Sequence, residues 1–174
     1  SDLLSRAVQA IRSGQVDDAP LQPVEHEVDL GITALIPDDY VPDIHTRLTL
    51  YKRISDAETS GILAELKVEM IDRFGLLPEP AESLFEAAAL RLRAQALGIR
   101  KARAGSERIS LEFTETPNID PRRMIQLIQQ HPKQYKLEGA SRLHYACQIN
   151  QPKLRAEALA GLLDTLTDSQ SPAA

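Results

Sequence analysis

The residues able to do chemistry in this 174-residue sequence are scattered, and their spacing removes most of the chemistry they might suggest. His26, His45, His131 and His144 are dispersed, and none has a second His or Cys at metal-ligand spacing. The sequence holds no G-x-x-x-x-G-K-[ST] phosphate loop and no G-x-G-x-x-G turn, and most of its eight glycines fall at helix ends or turns. Cys147 is the sole cysteine, in an alternating stretch with no base near it in sequence, which fits a small buried apolar side chain rather than a nucleophile. No catalytic residue, metal site or cofactor is therefore expected. What remains is a charged pattern over residues 59–74. At about 100° per residue, Ile62, Leu63, Leu66, Met70 and Phe74 share an arc of roughly 120°, a core face. Glu65, Glu69 and Asp72 lie within about 60° of one another on a different side. Val68 and Ile71 edge these acids, and Arg73 sits on the other border. An acidic row edged by apolar residues suits docking on a basic partner surface, because complementary charge sets register and on-rate. Glu69 and Arg73, at i and i+4, equally allow an ordinary pair on a solvated face. Spacing alone leaves both open.

A second charged group, Arg91, Arg93, Arg100, Lys101 and Arg103, invites a nucleic-acid reading. Arg91 and Arg93 fall on different faces of a helix, the other three straddle a strand, and no aromatic platform interleaves them as single-strand binding needs. The net charge of −5 also argues against a general phosphate grip. Solvated surface is the expectation for these residues.

The elements that must position these groups follow from period and punctuation. Residues 2–13 place Leu3, Leu4, Ala7, Val8 and Ile11 at helical spacing before Gly14, and residues 15–23, with Pro20 and Pro23, suit a linker. Residues 25–32 alternate, with Val28, Leu30 and Ile32 on one side, as a strand does. Pro37 and Pro42 bound a turn-like connector. Three helices with short turns follow: residues 44–54, with Ile44, Leu48, Tyr51 and Ile54 inward; residues 59–74, capped by Thr59 or Ser60 and stopped by Gly75; and a helix from about Pro80 to Gly98. The third carries Leu84, Phe85, Ala88, Leu92, Ala96 and Leu97 as its apolar positions.

Beyond Gly98 the period becomes alternating. Residues 99–104 and 108–113 flank a Gly105-Ser106 turn, Pro121 opens a helix ended by His131-Pro132, and residues 135–137 and 143–148 form a second strand pair around Gly139. Residues 154–166 close with a leucine-rich helix, and the tail from Thr167 onward is expected to be disordered. The fold class is α+β: three helices packed with a small, mostly antiparallel sheet, plus an N-terminal connector helix and a C-terminal helix. Residues 1–23 form the connector and linker, 24–168 the domain and 169–174 the tail. A lone cysteine suits a reducing cytoplasm, no run approaches the roughly 18 apolar residues of a membrane helix, and a start at Ser1 in helical pattern reads as a piece of a longer protein.

Several runs carry a resemblance: DLLSRAVQAI at the start, LIPDDYVPD from Leu35, Thr46-Arg47-Leu48, YKRIS from Tyr51, KVEMIDRFGLLPEPA from Lys67, and QALGIRK from Gln95. Together they resemble the C-terminal module of bacterial transcription-repair coupling factors, more by pattern than by words beyond Ser110. The resemblance implies a cytoplasmic parent that translocates on double-stranded DNA at the expense of ATP, displaces stalled RNA polymerase and recruits excision repair through UvrA. It implies a regulatory module that packs on the parent's own N-terminal UvrB-like module and hides the UvrA-binding surface. The contact residues it implies are Glu69, Asp72 and Arg73. The alternative is an accessory domain of the same factor that binds DNA or RNA polymerase. The chain itself should not bind ATP, because it lacks a backbone cradle for phosphates. Calorimetric titration is expected to give no saturable heat, and a stoichiometric ATP isotherm would contradict this reading.

Overall fold

Alternation in the first described stretch yields β1 (Glu27–Asp29), with Leu30 buried and Val28 and Ile32 packed on the same core. The strand is shorter than the alternating run over 25–32. Asp29 Oδ1 accepts the Gly31 amide at 2.8 Å, and this turn takes the backbone out of the ladder. The computed structural model describes residues 25–168. The helix expected over residues 2–13, the linker over 15–23 and the tail over 169–174 lie outside the described residues.

A tight turn, with the Tyr40 and Val41 amides on the Pro37 carbonyl, leads to α1 (Ile44–Asp56), capped by Asp43. Here the expected inward face is corrected. Leu50 and Ile54 are buried and Tyr51 is half-buried, whereas Ile44 and Leu48 are 56% and 58% exposed. The reason is Arg47, which occupies the inner arc and donates to the Val41 and Pro42 carbonyls at 2.8 and 3.1 Å. Its head finds main-chain acceptors, one of them part-buried, a choice a hydrophobicity pattern does not register. α2 (Ser60–Phe74) begins at Thr59, whose hydroxyl accepts the Ile62 amide at 3.1 Å. Leu63, Leu66 and Met70 form its buried face with Phe74 half-buried, but Ile62, expected in the core arc, is 45% exposed.

α3 (Glu79–Ala96) starts with Pro80 in its first turn, where a missing amide costs nothing. It has two apolar faces. Phe85 and Ala88 belong to one core with α1, α2, Ile36 and Val41. Leu90 and Ala94, followed by Leu97, belong to a second core with the sheet. Ala96, expected to be inward, is exposed. At Gly98 the backbone has φ 72°, and a Cβ would stand 2.7 Å from the Pro117 Cα. Glycine there lets the chain turn from α3 straight into the sheet.

The sheet is built from β1, β2 (Ile99–Ala104), β3 (Arg108–Phe113), β4 (Tyr135–Glu138) and β5 (Arg142–Ala146), in the order β1-β2-β3-β5-β4. β1 pairs with β2 in parallel across the three-helix insertion, and every other pairing is antiparallel. A register irregularity between Ile99 and Lys101 sets Arg100 out of step, so Ile99, Ala102 and Ala104 can all face the core. β5 ends at Ala146 rather than Gln148, because the Cys147 and Ile149 amides turn to the Glu107 and Ser106 carbonyls in the β2–β3 turn. Cys147 is half-buried against the sheet core.

α4 (Pro121–Gln130), capped by Asp120, sets Leu127 on this core. A 3-10 turn (Pro152–Leu154) leads to α5 (Arg155–Asp168), whose Leu159, Leu162, Leu163 and Leu166 are all buried. Thr167 and Asp168 are helical, with the Thr167 hydroxyl on the Leu163 carbonyl, so the expected disorder does not begin at Thr167. The α+β class and the three-helix cluster beside a mostly antiparallel sheet are as the sequence indicates.

Tyr51 ties α1 to the connector through its hydroxyl, which accepts the Ile36 amide at 2.7 Å. Tyr51→Phe is expected to cost about 1 kcal/mol by stranding that amide, and Tyr51→Ala about 2–4 kcal/mol by also emptying packed volume. Urea titration reads both, and a Tyr51→Ala change below about 0.5 kcal/mol would place the ring on the surface.

Candidate functional site

The charged end of α2 is held in place by residues distant in sequence. Gly75 at φ 95° stops the helix, and its amide still reaches the Ile71 carbonyl at 2.9 Å. The Tyr40 hydroxyl donates to the Gly75 carbonyl at 2.7 Å, an acceptor just past the helix end, and lies 3.2 Å from the Met70 carbonyl within the last turns of α2. Its ring packs on Phe74 at 5.8 Å, and the Arg73 guanidinium lies 4.8 Å over the other side chain's ring centroid, that of Phe74. The Pro37–Pro42 connector thus fixes the last turn of α2 through Tyr40.

The acids of the expected row separate on this scaffold. Glu69 turns toward α1, where Arg53 grips it with two hydrogen bonds, Nη1 to Oε2 at 2.5 Å and Nη2 to Oε1 at 3.1 Å. Arg73 closes on the same carboxylate at 3.5 Å, the i, i+4 pair that spacing allowed. The hydrogen bonds from Arg53, with the charges of Arg53 and Arg73 behind them, hold the Glu69 carboxyl below the usual glutamate range. Asp72 and Glu65 remain on the exposed face, with no ion pair or side-chain hydrogen bond among the described residues. Apolar residues flank Asp72 in sequence on either side: Val68, 58% exposed, and Leu76, 86% exposed. Ile71 is half-buried. Sequence reasoning missed Arg53 as the partner of Glu69, since no local spacing joins α1 to α2. It also missed Leu76, which lies past the helix stop and outside any helical wheel.

The other candidates resolve into structural roles. Arg91 donates to the Ser55, Ile54 and Ala57 carbonyls and so caps α1. Arg93 pairs with Asp164, Arg100 with Glu112, Lys101 with Glu27 and Arg103 with Asp29. Arg100, Lys101 and Arg103 are exposed, as expected of solvated surface, with surface ion pairs to neighbouring strands, whereas half-buried Arg91 and Arg93 join α1 to α3 and α3 to α5. The histidines stay apart: His26 Nδ1 meets the Ile99 carbonyl at 2.7 Å, His131 closes α4 beside Tyr135, and His45 lies on α1. His144 bridges Ser110 on β3 (2.9 Å) and Glu138 on β4 (2.5 Å), a row of contacts across three paired strands. No group of three potential metal ligands occurs among the described residues, and no helix described is long and apolar enough to cross a membrane.

An α+β module with a braced, charged helix end and no assembled reaction centre among the described residues is the class that fold and site define. The TRCF domain profile matches residues 30–124 of the chain. The transcription-repair-coupling factor of Escherichia coli (strain K12) is 43% identical over 159 residues, which cover 90% of this chain and 14% of that protein. That of Haemophilus influenzae is 37% identical over 166 residues, covering 95% of this chain and again 14% of the relative. The chain thus spans 14% of the length of these relatives. A crystal structure of the C-terminal domain of a transcription-repair coupling factor superposes with a TM-score of 0.64 at 19% identity, over 84% of this chain and 94% of that one, and supports the fold. The chain belongs to the TRCF domain family, the C-terminal domain of transcription-repair coupling factors.

The Arg53–Glu69 contact makes a pH prediction. Because the folded-state pKa of Glu69 is depressed, its stabilisation is present above the ordinary glutamate value of 4.5 and is lost as pH falls through the lower folded value. Arg53→Gln is therefore expected to lower the urea midpoint at neutral pH, and the gap from wild type should close as pH drops below 4.5. A gap that stays constant down to acid unfolding would show that the contact contributes nothing.

Proposed function

We infer that this chain is the non-catalytic, autoinhibitory module of a transcription-repair coupling factor. In this reading the parent is an ATP-driven translocase on double-stranded DNA that acts in the cytoplasm on stalled RNA polymerase. The module, residues 24–168, docks on the parent's own N-terminal UvrB-like module and masks its UvrA-binding surface. Residues 1–23 connect it to the preceding motor. The observation that carries the reading is Asp72: an exposed carboxylate with no partner among the described residues, in the last turn of a braced helix, between exposed Val68 and Leu76. A rigid, unpaired charge beside apolar surface is what a basic partner patch can desolvate and pair with.

Roles divide among the three residues named by the resemblance. Asp72 is the residue that meets a basic group of the partner. Glu69 and Arg73 already pair with each other, and Glu69 with Arg53, so they set the shape and charge of the neighbouring surface. The alternative, a domain that binds DNA or RNA polymerase, has less support on the DNA side, because four members of the basic cluster face acids of this chain. Phosphate binding by counterion release needs cations free to meet phosphates.

Asp72→Ala in the full-length factor is expected to leave the module folded and to raise UvrA affinity at least about tenfold, as a clamp held by a few kcal/mol opens. Unchanged UvrA affinity together with an unchanged hydrodynamic radius would mean that Asp72 does not hold the clamp.

A further inference from the structure

Beside the Asp72 strip lies a cleft of about 210 Å³ between α1 and α2, lined by His45, Thr46, Thr49, Leu50, Arg53 and Arg73. It is below the roughly 300–1,000 Å³ of small-molecule pockets and so suits a single side chain. Its chemistry is one-sided. Each guanidinium carries five N–H donors. Arg53 spends two hydrogen bonds on Glu69, and Arg73 approaches that carboxylate only at 3.5 Å. The threonine hydroxyl protons are committed elsewhere, Thr46 to Asp43 at 2.6 Å and Thr49 to the His45 carbonyl at 2.9 Å. Two guanidiniums share the one carboxylate of Glu69, a local surplus of one positive charge beside an apolar floor at Leu50, while the Asp43 carboxylate near Thr46 is taken up by the Thr46 amide and hydroxyl as the α1 cap.

We propose that this cleft is a second recognition point of the docking surface and takes the carboxylate of an Asp or Glu side chain from the protein partner. One carboxylate neutralises the Arg53–Glu69–Arg73 group, whereas a basic side chain would be repelled and a phosphate dianion would leave excess negative charge. Arg73 follows Asp72 in sequence and points about 100° further around α2, so a partner that spans the two faces presents a base to Asp72 and an acid to the cleft. A bipolar pattern fixes orientation and rejects partners of uniform charge, which a purely acidic strip does not do.

The proposal rests on the docking reading above, and two measurements separate their failures. In the first, the 174-residue chain, isotopically labelled, is titrated with N-acetylglutamate amide while the arginine Nε–H resonances are followed. Saturable shifts confined to Arg53 and Arg73 are expected. They should be lost in Thr49→Glu, which fills the cleft with a fixed carboxylate, and kept in Asp72→Ala. An equal response to N-acetylglutamine amide, unsaturable shifts at all exposed arginines alike, or inorganic phosphate binding the same resonances about tenfold more tightly would overturn the proposal. In the second, binding of the chain to the N-terminal UvrB-like module should weaken about tenfold in Thr49→Glu. If Asp72→Ala weakens that binding and Thr49→Glu does not, the cleft proposal falls and docking stands. If the wild-type chain fails to bind the module at all, docking falls, and the titration alone decides the cleft.

Discussion

One helix has to be buried on two sides at once, and the rest of the structure follows from that constraint. α3 gives Phe85 and Ala88 to the helical core and Leu90 and Ala94 to the sheet core. Neither layer is complete without it. The helical layer has only α1, α2 and the connector on its other sides, and the sheet would expose its inner face where α3 and α5 now lie against β2. At the start of α3 the Pro80 carbonyl accepts the Leu35 amide, and beyond its end Gly98 turns the chain directly into β2. Through α3 the sheet and the helical core are joined, and the end of α2 is held within that helical core by Met70, Phe74 and Tyr40.

The charged groups divide into those that the fold consumes and those that it leaves over. Arg47, Arg91 and Arg155 reach part-buried main-chain carbonyls, of Val41, Ile54 and Leu30, where removing the side chain costs an acceptor its partner rather than merely breaking an ion pair. Arg93, Arg100, Lys101 and Arg103 face carboxylates across element boundaries. On α2 the same sorting places Glu69 inside a two-arginine bridge and leaves Asp72 outward. A binding surface defined by leftover charge is economical: the paired residues hold the helix still, and the unpaired one is free to meet a partner at little conformational cost.

Much of the fold was legible from periodicity and punctuation. The limits of β2 and β3 were readable because Gly105-Ser106 sits between two alternating runs, and α2 because Thr59 and Gly75 mark its ends. The inner face of α1 was not, since hydrophobicity set Ile44 and Leu48 inward, while the arc centres nearer Leu50 and Ile54, with Arg47 beside them reaching the Val41 carbonyl. The site was half legible. Helical spacing grouped Glu65, Glu69 and Asp72 correctly as neighbours, but only the approach of α1 separates a carboxylate bound by Arg53 from one that is free. That pairing spans sixteen residues and two elements, so no local pattern carries it. The parallel β1–β2 pairing was equally hidden, because three helices intervene between its partners.

The central claim is that Asp72, exposed and without a partner among the described residues, is covered in the whole factor. Carbodiimide labelling of carboxylates, read by mass spectrometry, measures that directly. The account predicts fast labelling of Asp72 in the 174-residue chain and strong protection in the full-length factor, with Glu107 in the β2–β3 turn reacting alike in both as the control. Equal labelling of Asp72 in the two proteins would contradict it.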